Sequence, residues 1–248
     1  MKSDIVEKND LSVISKNIVQ KNDLSVISNV VQRNDFIEIK YTGYANGDIF
    51  DSNIEEDLKK LDKKAKPFKV VVIAGHETVI KGFDNALIGK ELGKDYEITL
   101  TPKEGFGERK RELIKTIPLK SFSDQKFSPH PGMVLTLDNL MAKIIAVSGA
   151  RVITDFNNPL SGKEIKYKFT VLRKLIEEKE KMEAFFEIYF RFMPEFEIKD
   201  KVIIKGKKEI EIFIKMFNNN FKEFFGKEME FEEKKAEEKN VNTSHSAK

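Results

Sequence analysis

In 248 residues, 44 Lys and Arg stand against 41 Asp and Glu, a net charge of +3; no basic block is interleaved with aromatics, which argues against nucleic acid as a partner. With no Cys there is no disulfide or thiol chemistry, and His76, His130 and His245 are too scattered to form a metal-ligand pattern, so no cofactor and no metal are expected. Twenty Phe within 40% apolar residues can build a real core, and without an apolar leader or an 18-residue apolar run the chain is expected to be soluble, cytoplasmic and not membrane-bound.

The first 33 residues carry a repeat. VEKNDLSVIS (6–15) recurs as VQKNDLSVIS (19–28), and VQRNDFIEIK (31–40) then opens the first strand. Two units are too few for a solenoid. They read as a duplicated first strand carried as a loosely ordered extension, with an edge-pairing arm as the alternative. FIEIKY alternates as a half-buried strand does, and Asn46-Gly47 predicts a two-residue hairpin turn, because both residues tolerate positive φ. KPFKVVVIAG (66–75) is a second buried strand. VIKGFDNALIGK (79–90) is a short helix entered by a bend at Lys81-Gly82, and GKDYEITLTP (93–102) is a strand stopped by its proline.

From Glu108 to about Thr154 the texture changes. Pro118, Pro129 and Pro131 punctuate the segment, followed by GMVLTL and by two strand-like runs in MAKIIAVSGARVITDF that meet at Ser148-Gly149. NNPLSGKEIKYKFTVLRKL (157–175) makes a turn and a last strand. Beyond it, EEKEKMEAFFEIYFRFM reads as a helix, and EIKDKVIIKGKKEIEIFI (197–214) as two strands turning at Gly206. FNNNFKEFFGKE reads as a helix, MEFEEKK as a strand, and the remainder as a charged tail. The aromatics Phe185, Phe186, Tyr189, Phe190 and Phe192 are either the core of a small third domain or a homodimer seam.

The order YTG…NGDIFDS, KPFKVVVIAG, VIKGFDNALIG, KEGFG and a late EIKYKF resembles the FKBP family of peptidyl-prolyl cis/trans isomerases over 34–109 and 155–175. The excursion between them resembles the insert-in-flap chaperone domain of SlyD-type FKBPs. With its long C-terminal region, the whole is most similar to the archaeal long-type members. The resemblance implies an α+β fold: an FKBP-like antiparallel half-barrel sheet wrapped on a short helix, a β-rich inserted domain, and a small α+β C-terminal domain. Divided accordingly, 1–33 is the extension, 34–109 and 155–175 the isomerase domain, and 110–154 the insert. The C-terminal domain is 176–232 and the tail 233–248.

The resemblance also implies a site. Tyr41 and Phe68 would be walls, Phe50 and Asp51 the aromatic and carboxylate behind the hairpin turn, and Phe83 the floor. Val79 and Ile80 would lead into the helix, with the Ile80 N–H donating to a substrate carbonyl. Phe106 and Tyr167 would close the set. Two positions depart from the family pattern: Phe106 lacks the usual tyrosine hydroxyl, and Asn158 stands where relatives usually carry His. The implied activity is non-covalent isomerisation of X–Pro bonds in unfolded or proline-containing polypeptides, with a macrolide as a further ligand. In the insert, Met133, Val134, Leu135, Met141, Ile144, Ile145 and Val147 would bind clients, since flexible Met suits varied partners. The rival reading is a non-catalytic holdase with a degenerate pocket. A nickel-handling role is disfavoured, because the tail contains one His.

Overall fold

The structure is a computed structural model that describes residues 28–124, 126–137 and 139–234. The two upstream copies of the repeat, apart from Ser28, and the tail from residue 235 lie outside the described residues. The chain divides after Lys174 into two compact units.

In the first unit the sheet is organised around two ten-residue strands, β1 (Phe36–Ala45) and a late strand, Ile165–Lys174, which is β9 in chain order. They pair antiparallel from Ile37↔Lys174 to Ala45↔Ile165. One edge of β1 is shared: β3 (Val70–Ile73) pairs with its first half, and β2 (Asp48–Ser52) with its second. β4 (Asp95–Leu100) lies on the far edge of β9. The expected turn is present, with Asn46 at φ 53° and Gly47 at φ 87°, joining Ala45 to Asp48. The third repeat copy starts β1 through its Asn-Asp step. Asn34 is left-handed (φ 72°), and Asp35 accepts the Gln32 N–H while pairing with the buried Lys174 at 2.7 Å.

The sheet curves over α2 (Lys81–Leu87), whose Phe83 and Leu87 join Ile37, Ile39, Val72, Ile165 and Phe169 in one core. A helix that sequence periodicity did not reveal, α1 (Glu55–Leu61), follows β2. It buries only Leu58, too little for an amphipathic pattern, and holds acidic residues in its first turn and lysines in its last, matching the helix dipole.

The insert is a second, four-stranded antiparallel sheet in the order β5-β8-β7-β6. β5 (Ile114–Pro118) and α3 (Leu119–Ser123), neither predicted, precede β6 (Val134–Leu137), β7 (Leu140–Ser148) and β8 (Arg151–Asp155). Its small core is Phe122, Ile144 and Val152.

The second unit runs through α4 (Glu178–Tyr189), β10 (Glu195–Ile198), β11 (Val202–Gly206), α5 (Ile210–Phe225) and β12 (Met229–Glu233). β10 and β11 are antiparallel, whereas β11 and β12 are parallel, with α5 as the crossover. This corrects the expected hairpin about Gly206: the hairpin turns at 199–201, Gly206 ends β11, and 210–214 is helical. The local IEIFI alternation resembles a strand, but Ile210, Ile214, Phe217, Phe221 and Phe225 keep helical spacing over 16 residues. Gly226, at φ 65°, stops the helix. Phe185, Phe186 and Phe190 are buried, with rings against Phe221, Phe196 and Phe213 of the same unit. Among the described residues no helix is long and apolar enough to cross a membrane.

Candidate active site

Alternation along β1 and β9 turns Tyr41 and Tyr167 toward the concave side of the sheet, where α2 raises Phe83 to meet them. Phe83 stacks on Tyr167 with ring centres 4.4 Å apart and planes within 7°. Tyr41 is tilted 6.0 Å from Phe83 and 6.1 Å from Tyr167. From β2, Phe50 meets Tyr167 edge-on at 5.9 Å and Phe106 at 5.8 Å. These five rings therefore form one continuous contact set. Phe83 and Tyr167 are nearly fully buried as its floor, while Tyr41, Phe50 and Phe106 are half-buried at its rim. Val79 and Ile80 pack against the same core at the start of α2. Phe68 differs: it is 53% exposed and stands outside that core, so the structure does not place it in the packed wall. It lies in the irregular segment ahead of β3, where no ladder fixes its direction.

Asp51 is held within this set. The Tyr41 hydroxyl donates to its Oδ2 at 2.8 Å. Burial, followed by that hydrogen bond and the adjacent negative charge, pushes the Tyr41 hydroxyl well above the usual phenol range. Burial and the same charge also raise Tyr167. Both phenols are therefore neutral donors throughout the physiological range, not proton-transfer groups.

Three supporting residues were not identified from the sequence. Asn53, buried, accepts the Tyr41 N–H at 2.8 Å and donates to the Ile39 carbonyl at 2.9 Å, fastening the end of β2 to β1. Gly43 leaves room for the rings, since a Cβ there would lie 2.7 Å from Phe50 Cζ and 2.9 Å from Tyr167 Cε1. Asp84 is 1% exposed, and its two carboxylate oxygens accept the N–H groups of Gly75 (2.9 Å) and Glu77 (2.8 Å). It thereby fixes the loop that delivers Val79 and Ile80, in which Gly75 (φ 84°) and Glu77 (φ 52°) are both left-handed. In sequence, an Asp in the first turn of a helix looks like an ordinary dipole partner. Asn158 has a structural use, its Oδ1 accepting the Leu160 N–H at 2.8 Å.

In the insert the predicted client residues separate. Ile144 is fully buried in the insert core, and Met133, Leu135 and Val147 pack against that core. Ile144 therefore serves chiefly as core while also bordering the cleft described below, because strand alternation puts its side chain opposite its exposed neighbours. Met141 (61% exposed), Val134 (56%) and Ile145 (40%) remain on the open face. Val134, Met141, Ile144 and Ile145 of the insert and Pro159 and Lys163 of the isomerase domain line one cleft of about 900 Å³, together with Arg109, Asp155 and Asn157.

The architecture is a half-barrel sheet around a short helix, with aromatic rings and one carboxylate on its concave side. The family model for the FKBP-type peptidyl-prolyl cis-trans isomerase matches residues 28–121, and that for the FKBP26 IF domain matches 115–160. The chain is 34% identical over 148 residues to the short-type peptidyl-prolyl cis-trans isomerase of Methanocaldococcus jannaschii, covering 58% of this chain and 93% of that one. It is 28% identical over 149 residues to the FKBP-type isomerase SlyD of Helicobacter pylori, covering 57% and 74% respectively. With a probable FKBP-type 16 kDa isomerase of Pseudomonas fluorescens the identity is 27% over 132 residues, covering 51% and 79%.

The chain belongs to the FKBP-type peptidyl-prolyl cis-trans isomerase family, as a SlyD-like member with an inserted domain, and is an enzyme of that type. The non-catalytic alternative is therefore not retained.

Proposed function

We propose that this isomerase turns X–Pro bonds non-covalently in the ring-lined pocket, and that its insert holds unfolded polypeptide whose prolines are to be turned. The supporting observation is the convergence of Tyr41, Phe50, Phe83, Phe106 and Tyr167 around Asp51. Rotation about an X–Pro amide opposes a resonance barrier of about 18–20 kcal/mol and takes tens to hundreds of seconds unaided. The twisted imide is less dipolar than the planar one, so a dry aromatic site favours it over the ground state.

An acceleration on the order of 10⁶ requires roughly 8 kcal/mol of such preference. One carboxylate cannot supply that, and neutral Tyr41 and Tyr167 offer no proton transfer. Asp51 orients Tyr41 and contributes electrostatically. The Ile80 N–H fixes the substrate carbonyl, and the half-buried rims of Phe50 and Phe106 part to admit the prolyl ring. A macrolide would occupy the same space. On the insert, Met141, Val134 and Ile145 give clients an adaptable apolar face.

Two assays test this reading. Tyr41→Ala is expected to lower isomerisation of a short X–Pro peptide by at least tenfold, and an unchanged rate would refute the pocket assignment. Met141→Asp combined with Ile145→Asp is expected to remove most of the acceleration of a proline-limited protein refolding reaction. Retention of that acceleration would refute the role given to the insert.

A further inference from the structure

Two segments carry the chain out of the isomerase sheet and back: 108–113 leaves and 155–157 returns. They lie side by side, and the ladder between β5 and β8 ends at Ile114↔Asp155. The Phe156 N–H extends the pairing to the Leu113 carbonyl at 2.9 Å. Asn157 then continues it with its side chain. Its Oδ1 accepts the Lys110 N–H at 2.8 Å and its Nδ2 donates to the Lys110 carbonyl at 3.0 Å, the two-point match that a peptide group would make.

The Asn157 Nδ2 also donates to Asp155 Oδ1 at 2.7 Å, and that oxygen accepts the Asn157 N–H at 2.9 Å. The Arg109 guanidinium closes on the other Asp155 oxygen. Asp155 and Asn157 are each only 9% exposed, so the bonds between them are largely shielded from competing water, whereas Arg109 is half exposed. Both amide hydrogens of Asn157 and both oxygens of Asp155 are committed. On the isomerase side, Gly162 N–H to Gly107 carbonyl (2.8 Å) and Ser161 Oγ to Phe106 carbonyl (3.0 Å) tie the same crossing to the rim ring Phe106. Asp155, Asn157 and Arg109 lie outside the ring set, and they line the same cleft as Val134, Met141 and Ile145.

We propose that Asp155, Asn157 and Arg109 form a positioning clasp that fixes the insert's apolar face relative to the prolyl pocket, so that a segment held by the insert presents its proline at high local concentration. This rests on the reading of the insert given above. A tethered segment gains effective concentration only while the geometry lets both sites act on it together. Loosening the crossing therefore lowers turnover of protein clients, while a short peptide, which needs the pocket alone, is turned over as before.

The experiment uses the full chain with Asn157→Ala and, keeping size and one acceptor, Asp155→Asn. Each is assayed on a proline-limited refolding protein and on a short X–Pro peptide. Expected are a fivefold or larger loss on the protein client and a peptide rate within about twofold of wild type. A second readout does not depend on activity. The natural chain has no Cys, so spin labels on Ser148→Cys and Lys63→Cys report the insert-to-isomerase distance, expected to be narrowly distributed in wild type and broadened by either substitution. An unbroadened distribution, an equal loss on both substrates, or an unchanged protein-client rate would each overturn the clasp. Met141→Asp separates the two claims. If it lowers protein-client turnover and the clasp variants do not, only the clasp fails; if it has no effect, the reading of the insert fails first.

Discussion

Asp84→Ala tests how the loop leading to Val79 and Ile80 is held. The wild-type carboxylate is buried and accepts two backbone N–H groups, from Gly75 and Glu77, across a loop with two left-handed residues. Hydrogen bonds to a charged group are worth about 1.5–3 kcal/mol each, so two sum to roughly 3–6. Of the donor residues Gly75 is half-buried and Glu77 exposed, and water replaces some of the loss, which brings the expected cost to about 3 kcal/mol. For a unit of this size 1 kcal/mol moves the melting midpoint by about 2–4 °C, so a fall of roughly 6–12 °C is expected by thermal denaturation. The function should suffer separately, because the loop delivers Val79 and Ile80, and a misplacement of about 1 Å can cost two orders of magnitude in rate. A drop of at least tenfold in kcat/KM on a short X–Pro peptide, measured well below the new midpoint, is the expected outcome. Asp84→Asn, which keeps the size but turns one acceptor into a donor facing an N–H, should fall between the two. A variant within 1 °C and twofold of wild type would show that the loop holds itself and that the reasoning is wrong.

Three further outcomes follow from the same geometry. Gly43→Ala puts a methyl group 2.7 Å from the Phe50 ring; it is expected to destabilise by about 1–3 kcal/mol and to lower peptide turnover, and an unchanged rate would mean that Phe50 is not held where substrate binds. Phe106→Tyr supplies the hydroxyl that the chain lacks and should raise kcat/KM by about two- to tenfold, the worth of one hydrogen bond, whereas an unchanged rate would remove that position from the substrate contacts. The last concerns pH. Because Tyr41 is raised above its unfolded value near 10, the folded chain retains that proton while the unfolded chain releases it, so stability falls as pH rises past about 10. Tyr41→Phe should flatten that alkaline loss in denaturant titrations, and peptide turnover by the wild type should be level from about pH 6 to 9. An unchanged alkaline slope in the variant would refute the assignment.

Where local chemistry decides, the residues alone were sufficient. Asn46-Gly47 predicted a tight turn because both residues tolerate the positive φ that they adopt, and the alternation in FIEIKY marked a half-buried strand. The motif order carried the family, and with it all five rings that meet on the concave side, including Phe83 as the floor. What the sequence could not reveal is where distant chains meet. Ile144 and Met141 look alike in a row of apolar residues, and only the β7–β8 pairing sends one into the insert core and leaves the other open. IEIFI at 210–214 alternates like a strand, yet its place in a sixteen-residue helical stripe decides otherwise. Asp84, Asn53 and Asn157 read as commonplace polar residues; their functions exist only because folding buries them beside backbone groups from other segments, where an unpaired donor or acceptor would be costly. Periodicity and turn chemistry are properties of neighbouring residues, whereas burial and long-range hydrogen bonding belong to the assembled chain.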